Sequence, residues 1–399
     1  MSNSSTIDNK TNLEQATNNN FFSKRNVIII VTALLLSIAL IVITIIFILK
    51  INWQTLFEQF GLGFQNSNGW LWFLLLLLFI PWSCFARAFT ITVKLKKLGY
   101  KIKLWDQIMY ATTCVFLVAV TPANFVSDPY TIYWVKSHGV STSKASALTA
   151  CNALLWEIAQ LIITMPSLIW MCVRWQDIFG NNAYDSAAGR LVFIFMFIGI
   201  TVDFVGLAVM LIVGFNRKLH YSLSRLFNRV KKFLHLSYHT KEQTYQTYVV
   251  EAKLQREFIL LLKMWKSSIA ILIVVFFTEV YLYVAVFLSV RFIANATYTL
   301  SFWEIFNVAN VTTTANRFVP LPGNELSIEW IMKEFMYTKI GGITADPNVH
   351  NRADIEKLVD HSIIIWRCWT SYFPAIIGVF GFGSLTATQI KQYRLKHKK

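Results

Sequence analysis

Charge is what this chain of 399 residues has little of, at 15%, where an ordinary soluble domain carries about 25%. With 55% hydrophobic residues and a mean hydropathy of +0.48, the shortage excludes a water-soluble globular fold. The chain reads as an all-α integral membrane protein. Acidic residues are scarcest, 21 against 37 Lys and Arg, leaving a net charge of +16. The basic residues are dispersed over short loops and the C-terminus rather than gathered on one face, so no nucleic-acid partner is expected. The five cysteines lie singly in apolar stretches, without a C-x-x-C pair or metal-ligand spacing. They read as small packing residues. His235 and His239 stand at i, i+4 but lack an HExxH context, so they read as a loop-surface pair. No metal and no cofactor is expected.

What is present is a series of apolar runs. Residues 1–26 are polar and aperiodic and read as a disordered cytoplasmic tail. Lys24 and Arg25 precede the run 27–49, which exceeds the ~7–15 residues of a signal-peptide core and has no A-x-A site after it. It reads as a retained transmembrane helix. Runs 70–93, 147–173, 191–215, 267–290 and 362–385 are also long enough to cross, at about 20 residues each. Segments 104–136 and 301–339 are only partly apolar. Each contains a polar, proline-bearing interruption, TPANFVSDP (Thr121 to Pro129) or FVPLPGNELSIE (Phe318 to Glu329), and these hold four of the eight prolines.

Charge parity assigns those two segments. Loops rich in Lys and Arg stay in the cytoplasm. The loop 94–103 carries five lysines, and the loop 216–266 is basic along its length. Two full crossings lie between them, so 104–136 must enter and leave on the inner side. The same count, taken to the basic tail 386–399, makes 301–339 enter and leave on the outer side. The expectation is about six full transmembrane helices plus two oppositely oriented re-entrant helix-break-helix hairpins, an inverted repeat, in one membrane domain over 27–385. Both termini are expected to be cytoplasmic, with the protein multi-pass in the cell membrane. Broken helix is tolerated at membrane depth only where protein or a water-filled cavity satisfies the freed backbone, so such breaks mark working sites.

Local chemistry suits helix starts at both breaks. Asp128 followed by Pro129 reads as an N-cap and N1 pair. Pro322, Gly323 and Asn324 read as a turn, with Glu325 and Glu329 following at i, i+4 on one helix face. Asp128 and Glu325 can serve as helix-start groups or as substrate contacts; both readings stand. Two helix N-termini aimed into a cavity would stabilise an anionic phosphate, and the carboxylates would suit a cationic or zwitterionic headgroup. Arg87, Glu157, Asp203, Glu279, Arg317 and Arg367 are the other charges in apolar segments, where interior pairing or function is the default. Arg87 and Arg367 are the phosphate-binding candidates, with snorkelling the alternative for Arg87. Asp203 and Glu279 read as pair partners. Residues 249–266 mix charge with a leucine stripe, suggesting an interfacial helix or one packed on the inner surface of the bundle.

At these residues the chain resembles the flippase-like membrane domain of lysylphosphatidylglycerol synthases. TPANFVSDPYTIYWVKSHGVSTSKA is similar to that family's first signature, and FVPLPGNELSIEW to its second, a P-x-P-G-G-x-G-x-x-E run. SIIIWRCWTSYFPAIIGVFGF resembles its last span, and Arg87 matches the Arg of its second. The resemblance covers roughly 27–385. It implicates Arg87, Thr121, Pro122, Pro129, Pro320, Pro322, Gly323, Glu329 and Arg367 as cavity-forming or headgroup-facing. Val126 and Ser127 stand where the family has Gly-Gly, and Asn324 and Leu326 replace two glycines of the second motif, which restricts close backbone approach there. The bifunctional members carry a further aminoacyl-transferase domain. This chain ends 14 residues after Leu385, so lysyltransferase activity is not expected of it.

The resulting expectation is a lipid translocase that moves a phospholipid, or an aminoacylated or lipid-linked headgroup, between leaflets through a midplane cavity. The alternative is a membrane enzyme, or a partner of a separate lipid-modifying synthase, in aminoacyl-phospholipid metabolism. Membrane lipids are the expected partners, and self-association is open.

Overall fold

The computed structural model describes residues 52–121, 126–174, 187–216, 241–294, 298–316, 327–336, 342–345 and 352–382, with scattered positions between 28 and 46 and between 218 and 229. The expected tails, most of the run 27–49 and the His235/His239 pair lie outside these residues. The elements are α1 (Trp53–Gln65), α2 (Gly69–Lys97), α3 (Leu104–Val120), α4 (Ser127–Ser137), α5 (Thr142–Val173), α6 (Ala187–Phe215), α7 (Lys241–Lys263), α8 (Trp265–Ile293), β1 (Tyr298–Leu300), α9 (Phe302–Ala315), α10 (Ser327–Met336), β2 (Ile343–Ala345) and α11 (Arg352–Arg367). After a π-helical turn at Cys368–Tyr372, the last helix runs on to Phe382.

Among the described residues, four helices are long and apolar enough to cross a membrane: Gly69–Lys97, Thr142–Val173, Trp265–Ile293 and Ala353–Phe382. They coincide with four of the expected spans. A fifth span, 191–215, falls in α6, whose described apolar core is Phe197–Ile212. The long helices end where sequence chemistry stops them. At the end of α2, Gly99 has φ +88°, Tyr100 N–H donates to Leu95 O at 3.1 Å and Gly99 N–H to Lys96 O at 3.0 Å. This double closure needs a left-handed residue, which glycine supplies without Cβ strain.

Segments 104–136 and 301–339 are each two short helices separated by the proline-bearing break. In both units the chain folds back so that its two ends meet. In the first, Tyr110 on α3 bonds Thr131 on α4 at 3.0 Å, and Asp106 at the start of α3 reaches His138, just after α4, at 3.9 Å. In the second, β1 precedes α9, β2 follows α10, and they pair antiparallel with Thr299 opposite Thr344. This two-stranded ladder was absent from the all-α expectation; three-residue strands leave too short an alternation to read. A further bond from Ser301 N–H to Gly342 O, 2.8 Å, closes the unit.

The core explains how these units are arranged. One apolar cluster joins Leu76 and Ile80 of α2, Ile163 and Met171 of α5, and Tyr283 to Ile293 of α8 with α9, α10 and α11. The other joins Ile91 and Leu95 of α2, Ala145 to Ala159 of α5, and Ile271 and Val275 of α8 with α3, α4 and α7. The helices α2, α5 and α8 therefore run through both layers, and the two broken-helix units pack at opposite ends of them. The lysine-rich end of α2 lies in the layer of the first unit.

Helix α7 resolves the alternative left open for 249–266. It packs on α5 and α6, with Gln255, Phe258 and Leu261 buried, so it is part of the bundle. Lys94, 1% exposed, donates to Cys151 Sγ at 2.8 Å and to Leu261 O at 3.1 Å. Its ammonium thus caps the last turn of α7, where the helix dipole favours a cation. Lys94→Met keeps the stem but strips this cap and should cost about 1–3 kcal/mol, read as a lower thermal midpoint in detergent. Three of the five cysteines depart from simple packing: Cys151 accepts this bond, Cys114 Sγ lies 3.8 Å from Thr131 Oγ1, and Cys172 is exposed.

Candidate functional site

Several polar residues lie at the level where the two apolar layers meet. On α2, Arg87 lies between Ile80 of one cluster and Ile91 of the other; on α8, Thr278 and Glu279 lie between Val275 and Tyr283. On α5, Trp156, Gln160 and Thr164 repeat every four residues, one helix face, across the boundary between Ala159 and Ile163. The second unit reaches this level too: Thr314, in the last turn of α9, lies 3.4 Å from Thr164 of α5.

The second unit supplies an ion pair. Glu329, in the first turn of α10, and Arg367, at the end of α11, meet at 2.7 Å between Oε1 and Nε, with side chains 0% and 5% exposed. Arg367 Nη1 also donates to Ser371 Oγ at 2.9 Å, and the guanidinium lies 5.5 Å from the Trp366 ring and 5.6 Å from Tyr372. The local backbone explains the reach. Pro374 cannot donate to Thr370 O and its ring crowds that carbonyl, and the helix widens into the π turn Cys368–Tyr372 immediately before it, which turns Ser371 toward Arg367. One layer outward, Lys333 bonds Asp360 at 2.7 Å, so α10 and α11 are joined by two crosswise pairs.

The first unit is built differently. The Arg87 guanidinium stacks 4.6 Å over the Trp156 ring and is within electrostatic reach of Asp128. It is half-buried and turned to α5, a cation–π placement. Asp128 is not the N-cap. The helix starts one residue earlier, with Val126 at the cap position and no side-chain cap bond; Asp128 is an exposed acid of the first turn, facing the positive helix end. Pro129 accordingly falls at the third helical position, where its missing N–H is still harmless. Thr121 is buried, its hydroxyl turned back on Leu117 O at 2.5 Å. Glu157 is half-buried on α5 beside Trp156, and Glu279 accepts from Tyr283 on its own helix at 3.1 Å.

Pro122, Arg317, Pro320, Pro322, Gly323, Asn324 and Glu325 lie outside the described residues. Of the others, the structure brings Glu329 together with Arg367, and Arg87 near Asp128. Among the described residues no group of three or more His, Cys, Asp or Glu could hold a metal. Sequence reasoning missed Lys94, the Lys333–Asp360 pair and the α5 polar ladder; for the ladder, the signal was polar residues at strict i+4 spacing inside an apolar run.

Comparison with known proteins fits this arrangement. Residues 30–343 match the family described as Lysylphosphatidylglycerol synthase TM region. The chain belongs to that family. The match takes in both breaks, Arg87 and Glu329, and stops short of Arg367. The chain is similar to "Uncharacterized protein MG306 homolog" of Mycoplasma pneumoniae, 24% identical over 322 residues, 78% of this chain and 77% of that protein. It is also similar to "Uncharacterized protein MG306" of Mycoplasma genitalium, 23% identical over 281 residues, 68% and 67% of the two chains. No solved structure matches this family member. It is a multi-pass membrane protein of the Lysylphosphatidylglycerol synthase TM family.

Proposed function

We propose that the protein is a lipid translocase that binds an anionic or aminoacylated phospholipid headgroup in the polar layer at mid-height while the tails stay in the bilayer. The observation that carries this reading is the buried Glu329–Arg367 pair, at 2.7 Å, at the start of the half-helix that follows the second break. Removing two charges from water is costly, so such a pair at membrane depth calls for a role. A lipid phosphate is the natural competitor for Arg367, and a cationic headgroup amine for Glu329. Binding would exchange one internal pair for two pairs with substrate.

The fold-back of each broken-helix unit, and their packing at opposite ends of α2, α5 and α8, support two re-entrant hairpins of opposite orientation around six full spans. Rocking of the two halves about a fixed site then gives alternate access. In this reading Arg87, Thr121, Pro122, Asp128, Pro129 and Glu157 belong to one wall and Arg317, Pro320, Pro322, Gly323, Asn324, Glu325, Glu329 and Arg367 to the other. The protein sits in the cell membrane with both termini cytoplasmic, and a separate lipid-modifying synthase is a candidate source of substrate.

The test is leaflet exchange in proteoliposomes loaded with fluorescent or aminoacylated phospholipid. Wild type should exceed empty vesicles, and Glu329→Gln/Arg367→Met should fall to the empty-vesicle rate. Equal exchange in empty and loaded vesicles sinks the proposal, and a new lipid species in the extract would favour an enzyme instead.

A further inference from the structure

Buried polar atoms normally find partners, and leaving one without is costly. Asn310 departs from this. It lies on α9, 0% exposed, and neither its Oδ1 nor its Nδ2 has a hydrogen-bond partner. Thr314 is one turn further along the same face of α9 and is 1% exposed. Across the seam stands Thr164 of α5, also 1% exposed, its Oγ1 at 3.4 Å from Thr314 Oγ1.

That separation is informative. Hydroxyl pairs bond at about 2.7–2.8 Å. Several other buried or half-buried threonines turn their hydroxyls back on the carbonyl four residues earlier, as Thr149, Thr278 and Thr313 do at 3.1, 2.7 and 2.8 Å. Thr164 and Thr314 instead face one another, too far apart for a good bond and spaced as two oxygens of one coordination shell. Asn310 Oδ1 adds a third neutral oxygen on the same face. The seam is also the C-terminal turn of a half-helix, where unpaired carbonyls and the helix dipole make the potential negative.

We propose that the α5–α9 seam binds a monovalent alkali cation through Asn310, Thr314 and Thr164. Neutral oxygens without a carboxylate suit one positive charge, whereas calcium-type sites gather carboxylates. The burial of all three side chains leaves no path for a lipid headgroup. Broken helices of this kind hold coupling ions at their C-terminal ends and substrate at their N-terminal ends, so the ion would bind one turn before the second break. Ion binding there stiffens the end of α9 and links occupancy to the geometry of the break.

The experiment uses the full-length protein in detergent, with thermal unfolding followed in NaCl, KCl or LiCl against choline chloride at equal ionic strength. A ligand that binds only the folded state raises the midpoint in a saturable way. Wild type should show this rise with one alkali ion and none with choline. Thr164→Val and Asn310→Ala should abolish it or raise the half-saturating concentration by about tenfold or more. Valine nearly matches threonine in shape, so the first variant tests the site even where Asn310→Ala fails to fold. Asn310→Asp, which adds charge but keeps the oxygen, should retain the rise. Thr313→Val, whose hydroxyl is bonded to Ala309, should behave as wild type. Identical midpoints in alkali and choline salts, or an unchanged alkali response in Thr164→Val, overturns the proposal. Binding does not rest on the lipid reading: an intact alkali response with no lipid exchange would remove translocation and leave the ion site standing.

Discussion

Arg367→Met should destabilise the protein by about 3–5 kcal/mol, the cost of stranding one member of a buried ion pair. The 0% exposure of Glu329 leaves its carboxylate no route to water once the guanidinium is gone. Glu329→Gln made alone should be milder, because Arg367 keeps Ser371 and the two aromatic faces beside it. The double replacement Glu329→Gln/Arg367→Met should recover most of the lost stability, since exchanging both charges for neutral groups of similar volume is commonly neutral or better. Thermal unfolding in detergent reads all three variants. A single Arg367→Met variant that melts with wild type would mean that the carboxylate finds water or a proton. The double variant is also the informative one for function: stable but inactive, it separates the role of the pair from its contribution to folding.

The long apolar helices were legible because hydrophobic length is a strong signal, and four of them are recovered, three with nearly the expected bounds and the last starting at Ala353 rather than 362. The two breaks were legible for the same reason, as polar punctuation in apolar sequence. Charge parity gave them opposite orientations as an expectation; the core packs the two units at opposite ends of α2, α5 and α8. Pairing was harder. Glu329 and Arg367 were each suspect as charges in hydrocarbon, but nothing in the chain says that residues in different helices touch. Asp128 was misplaced because an Asp-Pro pair suits a cap so well; the helix instead begins at Ser127 and uses the acid one position inside. Lys94 sits in a run of lysines that all look cytoplasmic, and only packing against α5 and α7 distinguishes it. The echo between the two units is faint in sequence. Trp105–Asp106 and Trp303–Glu304 occupy the second and third positions of α3 and α9, and their acids reach His138 and Arg174, at 3.9 and 3.2 Å.

Gly378→Leu should be strongly damaging although it lies outside the charged site. Gly378 and Gly381 lie on the face of the last helix that meets α3. A Cβ on Gly378 would stand 2.5 Å from Thr112 O and closer still to Phe116 Cβ, and one on Gly381 would overlap Thr112 Oγ1. The obstacle at Gly378 includes backbone, which cannot rotate away. Small residues at such a contact let two membrane helices approach without a side chain between them, and packing is the main attraction available in lipid. Overpacking a core typically costs about 1–3 kcal/mol and more where backbone must shift; a leucine here should exceed that range by forcing the last helix off α3. Gly206→Leu provides the control, because nothing lies within 4 Å of its Cβ position and the midpoint should hardly move. The contact ties the helix that carries Arg367 to the first broken-helix unit. A valine or alanine at Gly378 that folds but separates these helices should therefore slow lipid exchange while leaving the Glu329–Arg367 pair intact, and exchange at the wild-type rate in such a variant would show that the two units need not move together.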